Sequence, residues 1–356
     1  MKKVLIAMSG GVDSSAVAVM MKNKGCECVG VTMRLHTSRT EGCVTDKDIN
    51  DAKMVCDRLK IEHRVVDFSR DFEKYVISSF ISSYENGSTP NPCIECNFHL
   101  KFDKLLEYAT EQGYDYVATG HYAIIEYSDK YGRYVLKKGR DVSKDQSYVL
   151  YRISRDKLEK TLFPLGYLTS KEETREIANE VGIEVSTKKE SQDICFVPDG
   201  DYAGFIESYT GKKYPQGDFV RIDGKYLGRH KGIIRYTIGQ RKGLGLALDR
   251  SMYVVDKCIE TNQVIIGDSE DLMSRELYAT SVNLLAVDNL DTPMRIRAKI
   301  RYKQEDRDAT AVMENGRLHV IFDEPQRAIC KGQSVVLYDG DIVIGGGIID
   351  EVPKEG

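Results

Sequence analysis

The sequence predicts an α/β fold in which a parallel-sheet domain is followed by a small middle domain and a C-terminal antiparallel β-barrel. Three observations support this prediction. Apolar, strand-like runs alternate with helical patterns over about the first 120 residues, as in parallel sheets whose strands are joined by helices. Residues 211–250 are rich in Gly, Lys and Arg and show weak periodicity. From Leu277 to Val352, short strand-like segments alternate with turns such as Glu314-Asn315-Gly316, a pattern typical of a small barrel or sandwich.

The elements of the first domain follow from its apolar runs in chain order. A helix is expected from Asp13 to a glycine stop at Gly25. Parallel sheets bind ligands at the carboxyl ends of their strands, where Met8, Met33 and Gly120 are expected to lie. The expected strands are residues 4–8, 28–33, 63–68 and 114–119. The expected domains are residues 1–204, 205–272 and 273–356.

Composition excludes collagenous and disordered classes, because 41% of the 356 residues are hydrophobic and 30% are charged. No apolar run is long enough to cross a bilayer, and the N-terminal run is too short for a signal peptide. Nine cysteines, an odd number, without a secretory signal indicate reduced thiols, so we expect a cytoplasmic protein. We also expect a monomer that does not bind membranes. The net charge is −4, yet residues 211–250 hold ten Lys or Arg against three Asp, which favours a docked polyanion.

The segment SGGVDSS, residues 9–15, joins the first strand to the first helix. Its two glycines allow a ligand to approach the backbone, and a helix start favours anions. A tight strand–helix turn is the alternative. The segment lacks the GxxxxGK[ST] pattern and resembles the PP-loop of ATP pyrophosphatases, which cleave ATP between its α- and β-phosphates and place AMP on an acceptor oxygen. This resemblance implies that ATP is bound by Ala7, Met8, Ser9, Gly10, Gly11, Val12, Asp13, Ser14, Met33 and Gly120.

A second motif, TPNPCIECN, occupies residues 89–97 and precedes an apolar helical pattern that ends near Gly113. Asn91 is a suitable N-cap and Pro92 a suitable first helical residue. Cys93 and Cys96 would then lie in the first turns, where the helix dipole lowers the pKa of a thiol. A zinc site and two inert thiols are the alternatives, although no second CxxC or CxxH pair accompanies this one.

A third isolated cysteine, Cys195, lies in the segment SQDICF. Taken alone, a cysteine between Ile194 and Phe196 is more often a core residue than a catalytic one. Together with a PP-loop and a CxxC pair, it fits sulfur transfer, in which one thiol holds the sulfur and another resolves the product.

These motifs, together with ATGHYA (118–123), KDQSYVL (144–150), YTIGQRKGLG (236–245) and GGGII (345–349), resemble the tRNA-specific 2-thiouridylases of the MnmA type over essentially the whole chain. Members of that family convert the wobble uridine, position 34, of certain tRNAs to 2-thiouridine with ATP and protein-delivered persulfide sulfur. The resemblance implies that Cys96 is the nucleophile and Cys195 the persulfide intermediate. Some members have Asp where this chain has Cys93.

The resemblance also implies the residues that meet the RNA. Asn91, Pro92 and Cys93 would lie near the flipped target base, since C2 of a stacked uridine cannot otherwise be reached. A core position is the alternative for His121. The implied tRNA-facing residues are His121, Lys144, Asp145, Gln146, Arg301, Tyr302 and Gln333.

A basic strand is predicted at residues 294–303 independently of the family. Its apolar positions would be buried at period two, and the opposite face would present an unbroken row of five cations. Same-sign charge along one face repels itself, which favours a phosphate partner over a solvated surface. The five cations are Arg295, Arg297, Lys299, Arg301 and Lys303.

The expected chemistry starts with adenylation of the C2 oxygen of uridine by ATP, with Mg²⁺ to neutralise the polyphosphate. Sulfur from a Cys195 persulfide then displaces AMP, and a Cys96–Cys195 disulfide remains. The expected partners are tRNA and a sulfur-donor protein, either a cysteine desulfurase or a sulfur-relay protein. No resident metal is predicted, although an iron–sulfur cluster on Cys93, Cys96 and Cys195 is an alternative. Two further rivals are an amidating or ligating PP-loop enzyme, such as argininosuccinate or GMP synthetase, and a non-catalytic tRNA-binding module.

Overall fold

A computed structural model describes residues 1–35, 44–180, 182, 194–248 and 250–353. The first domain is built on a parallel sheet of five strands in the order β3-β2-β1-β4-β7, and β5 and β6 form an antiparallel hairpin beside it. The strands are β1 (Lys3–Ala7), β2 (Glu27–Arg34), β3 (Glu62–Asp67), β4 (Tyr116–Ala118), β5 (Ala123–Ser128), β6 (Arg133–Lys138) and β7 (Thr161–Leu162).

Helices cover this sheet and extend to the start of the middle domain. Two segments, Glu73–Ile77 and Cys96–Lys104, are π-helical. The α-helices are α1 (Val12–Asn23), α2 (Asp46–Leu59), α3 (Ser69–Phe72), α4 (Ser78–Glu85), α5 (Pro92–Glu95), α6 (Leu105–Glu111), α7 (Ser147–Leu150), α8 (Arg155–Leu158), α9 (Lys171–Asn179) and α10 (Tyr202–Thr210). None of the helices in these described ranges is long and apolar enough to cross a membrane.

The core of the first domain explains why the predicted elements form. Val4, Leu5 and Ile6 of β1 are fully buried, because a central parallel strand is covered on both faces. Helix α1 packs on the sheet through small and β-branched residues such as Ala16 and Val17. The predicted strand–helix alternation is therefore confirmed, with strand and helix ends shifted by a few residues.

The middle domain contains a four-stranded sheet in the order β10-β11-β8-β9. Phe219 is fully buried and packs edge-to-face against Tyr236, with their ring centroids 5.0 Å apart. Val254 and Ile266 complete this core, which is continuous with the core of the first domain. Its strands are β8 (Gly217–Arg221), β9 (Tyr226–His230), β10 (Tyr253–Cys258) and β11 (Gln263–Gly267).

The C-terminal region is a closed antiparallel barrel, as the sequence predicts. Six strands follow the order β12-β15-β14-β13-β16-β17, and pairing between β12 and β17 closes the barrel. Asn315 and Gly316 both have positive φ, so the predicted turn between β14 and β15 is a tight hairpin. The strands are β12 (Met273–Leu284), β13 (Met294–Lys299), β14 (Arg307–Glu314), β15 (Arg317–Arg327), β16 (Ser334–Asp339) and β17 (Ile342–Glu351). The β5–β6 hairpin continues this sheet, because Lys137 pairs with Ile342.

Candidate active site

The PP-loop segment connects β1 to α1 and is shaped by its own hydroxyl groups. The Ser14 hydroxyl accepts a hydrogen bond from the Ser9 amide at 3.1 Å and donates one to the Gly11 carbonyl at 3.1 Å. Gly11 is the N-cap residue in an extended conformation and provides no side-chain cap. The first amides of α1 therefore point out of the helix and can bind an anion.

Two of the predicted ATP-binding glycines are required by close backbone approaches. Gly10 has φ of +70°, and a Cβ atom there would overlap the backbone carbonyl of Asp48. At the end of β4, a Cβ on Gly120 would come within 2.9 Å of the Asp13 Cβ. The segment after β4 thus packs directly against the start of α1. Met33, at the end of the neighbouring β2, is partly buried.

A buried lysine that the motifs do not include bonds to the PP-loop. Lys171, the first residue of α9, donates from Nζ to Asp13 Oδ1 at 2.5 Å and to the Tyr122 hydroxyl at 3.2 Å. The Tyr122 hydroxyl also donates to Asp13 Oδ1 at 2.7 Å and lies 3.0 Å from the Thr174 hydroxyl. Sequence reasoning missed Lys171 because it lies 158 positions from Asp13, in a helix without a recognisable motif.

The CxxC pair begins a helical segment, and its predicted start is confirmed. Asn91 Oδ1 accepts a hydrogen bond from the Cys93 amide at 3.2 Å, and Pro92 is the first residue of α5. The helix then continues as the π-helix Cys96–Lys104 and as α6. Arg152 fixes its first turn, because it pairs with Glu95 and lies 4.3 Å from the ring of Phe98.

The structure brings the three predicted thiols together. Cys93 and Cys195 are exposed, and Cys96 is partly buried. Cys195 is held in place by its neighbour Phe196, whose buried ring packs against those of Phe72 and Phe80. Cys195 and Cys93 are both close enough for their charges to raise the pKa of the Cys96 thiol. Residues 190–193 of the SQDICF region lie outside the described residues.

The expected lowering of the thiol pKa values is wrong. Burial raises the pKa of Cys96 to about 12. Protein atoms around the sulfur of Cys93 also raise its pKa, although part of that residue is exposed, and the charge of Lys101 opposes both shifts. A helix dipole contributes about 0.3–1 kcal/mol, which is less than one pKa unit. Loss of water around the sulfur atoms therefore outweighs the dipole.

Metal binding was an alternative for these cysteines. Among the residues that the structure describes, no group of three or more His, Cys, Asp or Glu side chains is placed to hold a metal ion. Cys93, Cys96 and Cys195 are thus neighbours without forming a ligand set in this conformation. An iron–sulfur cluster stays the alternative to the metal-free site that we predict, and iron and sulfide analysis after anaerobic purification would distinguish the two.

Two of the predicted tRNA-facing residues of the first domain, Asp145 and Gln146, form hydrogen bonds to backbone amides of the chain itself. Asp145 is buried and accepts hydrogen bonds from the amides of Gly139 and Ser147. Gln146 Oε1 accepts a hydrogen bond from the Tyr122 amide at 3.0 Å. Lys144 and Gln146 are both partly exposed. Asp145 and Gln146 therefore shape the loop from which Lys144 could reach a phosphate.

His121 lies in an aromatic part of the core. Its ring is 5.6 Å from that of Phe102 and 5.5 Å from that of Phe163, and its Nδ1 lies 2.7 Å from the Thr119 hydroxyl. Burial, followed by the charge of Lys101, holds the pKa of His121 well below its usual value. This placement agrees with a neutral core histidine, and contact with tRNA stays a prediction.

The predicted tRNA residues of the barrel also have internal contacts. Arg301 Nη2 donates to the Ala328 carbonyl at 2.5 Å and to Cys330 Sγ at 3.2 Å. Tyr302 packs partly buried against the core. Gln333 Nε2 donates to the Thr89 carbonyl at 2.8 Å, so it bonds to the segment before the CxxC pair.

The predicted row of unpaired cations on the basic strand is wrong. Strand β13 ends at Lys299, and its apolar positions Ile296, Ala298 and Ile300 are buried as predicted. On the other face, however, Arg295 forms two 2.8 Å hydrogen bonds to Asp323, and Arg297 bonds to Asp308 at 3.1 Å. Carboxylates on the adjacent strand β14 and on β15, the strand beyond it, thus offset the charge of these two arginines.

The chain matches known protein families over most of its length. Three family models match: the tRNA methyl transferase HUP domain at residues 2–199, the tRNA methyl transferase PRC-barrel domain at 203–268 and the aminomethyltransferase beta-barrel domain at 274–349. A solved structure, the U34-tRNA thiolase NcsA from Methanococcus maripaludis with its [4Fe-4S] cluster, is 16% identical with a TM-score of 0.36. It covers 59% of this chain and 70% of its own, a likeness too distant to argue from.

Curated relatives are much more similar. The tRNA-specific 2-thiouridylase MnmA of Acetivibrio thermocellus is 48% identical over 98% of this chain and 99% of its own length. The enzyme of the same name from Clostridioides difficile is 47% identical over 98% of both chains. The PP-loop, the CxxC pair and Cys195 thus belong to a chain that matches such enzymes over nearly its whole length. This chain is a member of the tRNA-specific 2-thiouridylase family.

Proposed function

We propose that this chain is an ATP-dependent tRNA sulfurtransferase that converts the wobble uridine to 2-thiouridine. The main support is that the three thiols lie together and are linked to the PP-loop by packing contacts. A series of contacts joins the two: Gly120 packs on Asp13, and the next residue, His121, packs on Phe102 of the π-helix that starts at Cys96. A nucleotide on the PP-loop and sulfur on the cysteines would therefore lie at the two ends of this series of contacts.

The nucleotide half of the reaction belongs to the PP-loop and its neighbours. The free amides at the start of α1 would bind the phosphates of ATP, and AMP would be transferred to the C2 oxygen of uridine with release of pyrophosphate. Adenylation makes that oxygen a good leaving group. Mg²⁺ usually binds one or two carboxylates together with substrate phosphates, and the Asp13 carboxylate fits that role beside the loop. The ion would neutralise the phosphate charge.

The sulfur half would use Cys195 and Cys96. In one route, the terminal sulfur of a Cys195 persulfide attacks C2 and displaces AMP. The Cys96 thiolate then attacks the Cys195 sulfur, and the electron pair of the S–S bond that breaks stays on the 2-thiouridine sulfur. In the other, Cys96 attacks first and frees hydrosulfide, which displaces AMP. Both routes leave a Cys96–Cys195 disulfide, and two electrons from an external thiol must reduce it before the next turnover.

The partners follow from the same scheme. A donor protein, either a cysteine desulfurase or a sulfur-relay protein, would load Cys195, whose exposure suits an incoming persulfide. Asn91, Pro92 and Cys93 would face the flipped base, because they form the start of the helix that presents Cys96. A monomer and a cytoplasmic location stay predictions.

Mass spectrometry of nucleosides from tRNA incubated with enzyme, ATP and a persulfide donor tests this function. Wild type should form 2-thiouridine and release pyrophosphate only with tRNA present. Cys96→Ala and Cys195→Ala should each abolish 2-thiouridine, while Cys258→Ala, a partly buried cysteine of the middle domain, should leave it unchanged. Persulfide labelling with peptide mapping should find sulfur on Cys195 in the Cys96→Ala variant.

The contrary outcomes are equally specific. Full 2-thiouridine formation by Cys195→Ala would refute the assignment of the persulfide carrier. Labelling of Cys96 in place of Cys195 would reverse the two roles. If tRNA binds but no tRNA-dependent pyrophosphate appears, the chain is a binding module and the proposed reaction is wrong.

A further inference from the structure

Lys101 lies one π-helical turn beyond Cys96. The helix from Cys96 to Lys104 is closed by bonds between residues five positions apart, and the same spacing joins the Leu105 amide to the Leu100 carbonyl. In an α-helix, two residues five positions apart point about 140° away from each other. In a helix closed by i→i+5 bonds they lie on one face, a turn apart. The π-helix thus places Lys101 on the face of Cys96.

The charge of Lys101 acts on the thiols and on a residue close to the PP-loop. It opposes the increase in the pKa values of Cys93 and Cys96 that burial causes. It also contributes to the lowered pKa of His121, which directly follows Gly120 at the end of β4. Lys101 is therefore within electrostatic range of both the thiols and the residue that follows Gly120.

Its ammonium group is available for such a role. Lys101 is partly exposed, and no carboxylate in the described part of the chain lies within salt-bridge distance of it. Lys104, one helical turn further along, instead forms a 2.9 Å salt bridge with Glu107. Lys104 is therefore a matched control: it has the same charge and belongs to the same helix, but a local carboxylate neutralises it.

We propose that Lys101 is the cation that stabilises the negative charge formed where sulfur replaces AMP. This role rests on the proposed function, in which an anionic sulfur meets an adenylated, phosphate-bearing carbon. An ammonium group that the helix already places on the side of Cys96 stabilises charge formed there. The lysine acts through its charge and forms no bond to the reacting atoms, so the sulfur-transfer steps keep the balance already given.

The first test measures the electrostatic potential at Cys96 and needs no turnover. Iodoacetate is anionic and iodoacetamide is neutral, and both react with the thiolate, so the ratio of their rates at Cys96 is independent of the thiol pKa. Tandem mass spectrometry assigns the label to Cys96 in the full-length protein. Lys101→Met should lower the ratio of the iodoacetate rate to the iodoacetamide rate about fivefold, because the cation that attracts the anionic reagent is lost. This is the effect of one unit charge at close range in a water-like medium. Lys101→Arg and Lys104→Met should keep it within twofold.

The second test concerns the reaction itself. Lys101→Met should lower the single-turnover rate of 2-thiouridine formation about 100-fold, as for other single charge-stabilising groups, while the Kd values of ATP and tRNA change less than threefold. Lys101→Arg should recover most of the rate. An unchanged iodoacetate ratio, or a loss confined to Kd, would overturn the role of Lys101. Absence of 2-thiouridine with wild type would instead refute the proposed function. The two failures are distinguishable, because the alkylation ratio needs no turnover and still measures the effect of Lys101 at Cys96.

Discussion

The ion pair between Lys171 and Asp13 offers a quantitative test of how the nucleotide site is held together. The two atoms lie 2.5 Å apart, and the side chains are 9% and 35% exposed, respectively. Lys171→Met would leave a partly buried carboxylate without its cation. Breaking a fully buried pair costs about 3–5 kcal/mol, and an exposed pair contributes less than about 1 kcal/mol. Because Asp13 is about one-third exposed, we expect a loss of about 2 kcal/mol.

Thermal unfolding without ATP, followed by circular dichroism, measures this loss. For a domain of this size, about 2 kcal/mol corresponds to a decrease in Tm of about 4–8 °C. Lys157→Met is the matched control, because Lys157 and Asp103 also lie 2.5 Å apart but are 26% and 48% exposed. It should lower Tm by about 1–2 °C. Equal decreases in the two variants would refute the argument from burial.

Two further predictions concern charge at the thiols and on the barrel. Alkylation of Cys96 by neutral iodoacetamide should rise about tenfold per pH unit from pH 7 to 9, since only the thiolate reacts and burial raises the pKa to about 12; a plateau in this range would contradict it. Lys303→Ala should reduce the salt-dependence slope of tRNA binding by about 0.7–0.9. Arg295→Ala should change the slope less than Lys303→Ala, because Asp323 already pairs with that guanidinium. A larger change with Arg295→Ala would show that the ion pair with Asp323 does not keep Arg295 from the phosphates.

Local signals were sufficient for the fold and for the start of each motif. The five consecutive apolar residues 4–8 predicted a central strand, because a strand that is buried on both faces has apolar residues at every position. Asn91 and Pro92 predicted the start of a helix because capping depends on neighbours two or three residues away. The Asn315-Gly316 turn is equally local.

Features that depend on distant residues could not be predicted in this way. Asp323, which pairs with Arg295, is 28 positions away, so the charge pattern of β13 alone suggested unpaired cations. The pKa of Cys96 depends on burial by the whole domain, which a motif does not report. The apolar spacing of residues 98–109 predicted a continuous helix, but it could not reveal the π-helix that places Lys101 above Cys96.

The longest of these dependences links the barrel to the thiols. Gln333 Nε2 donates to the Thr89 carbonyl, and the Thr89 amide in turn donates to the Lys331 carbonyl at 2.8 Å. A Cβ on Gly332 would come within 2.8 Å of Ser88, so this barrel loop and the segment before Asn91 are packed together without spare room. The N-cap that starts the CxxC helix is therefore held by a strand connection more than 240 residues away. Gln333 can thus influence the reaction by fixing the position of Cys96, whether or not its side chain also meets tRNA.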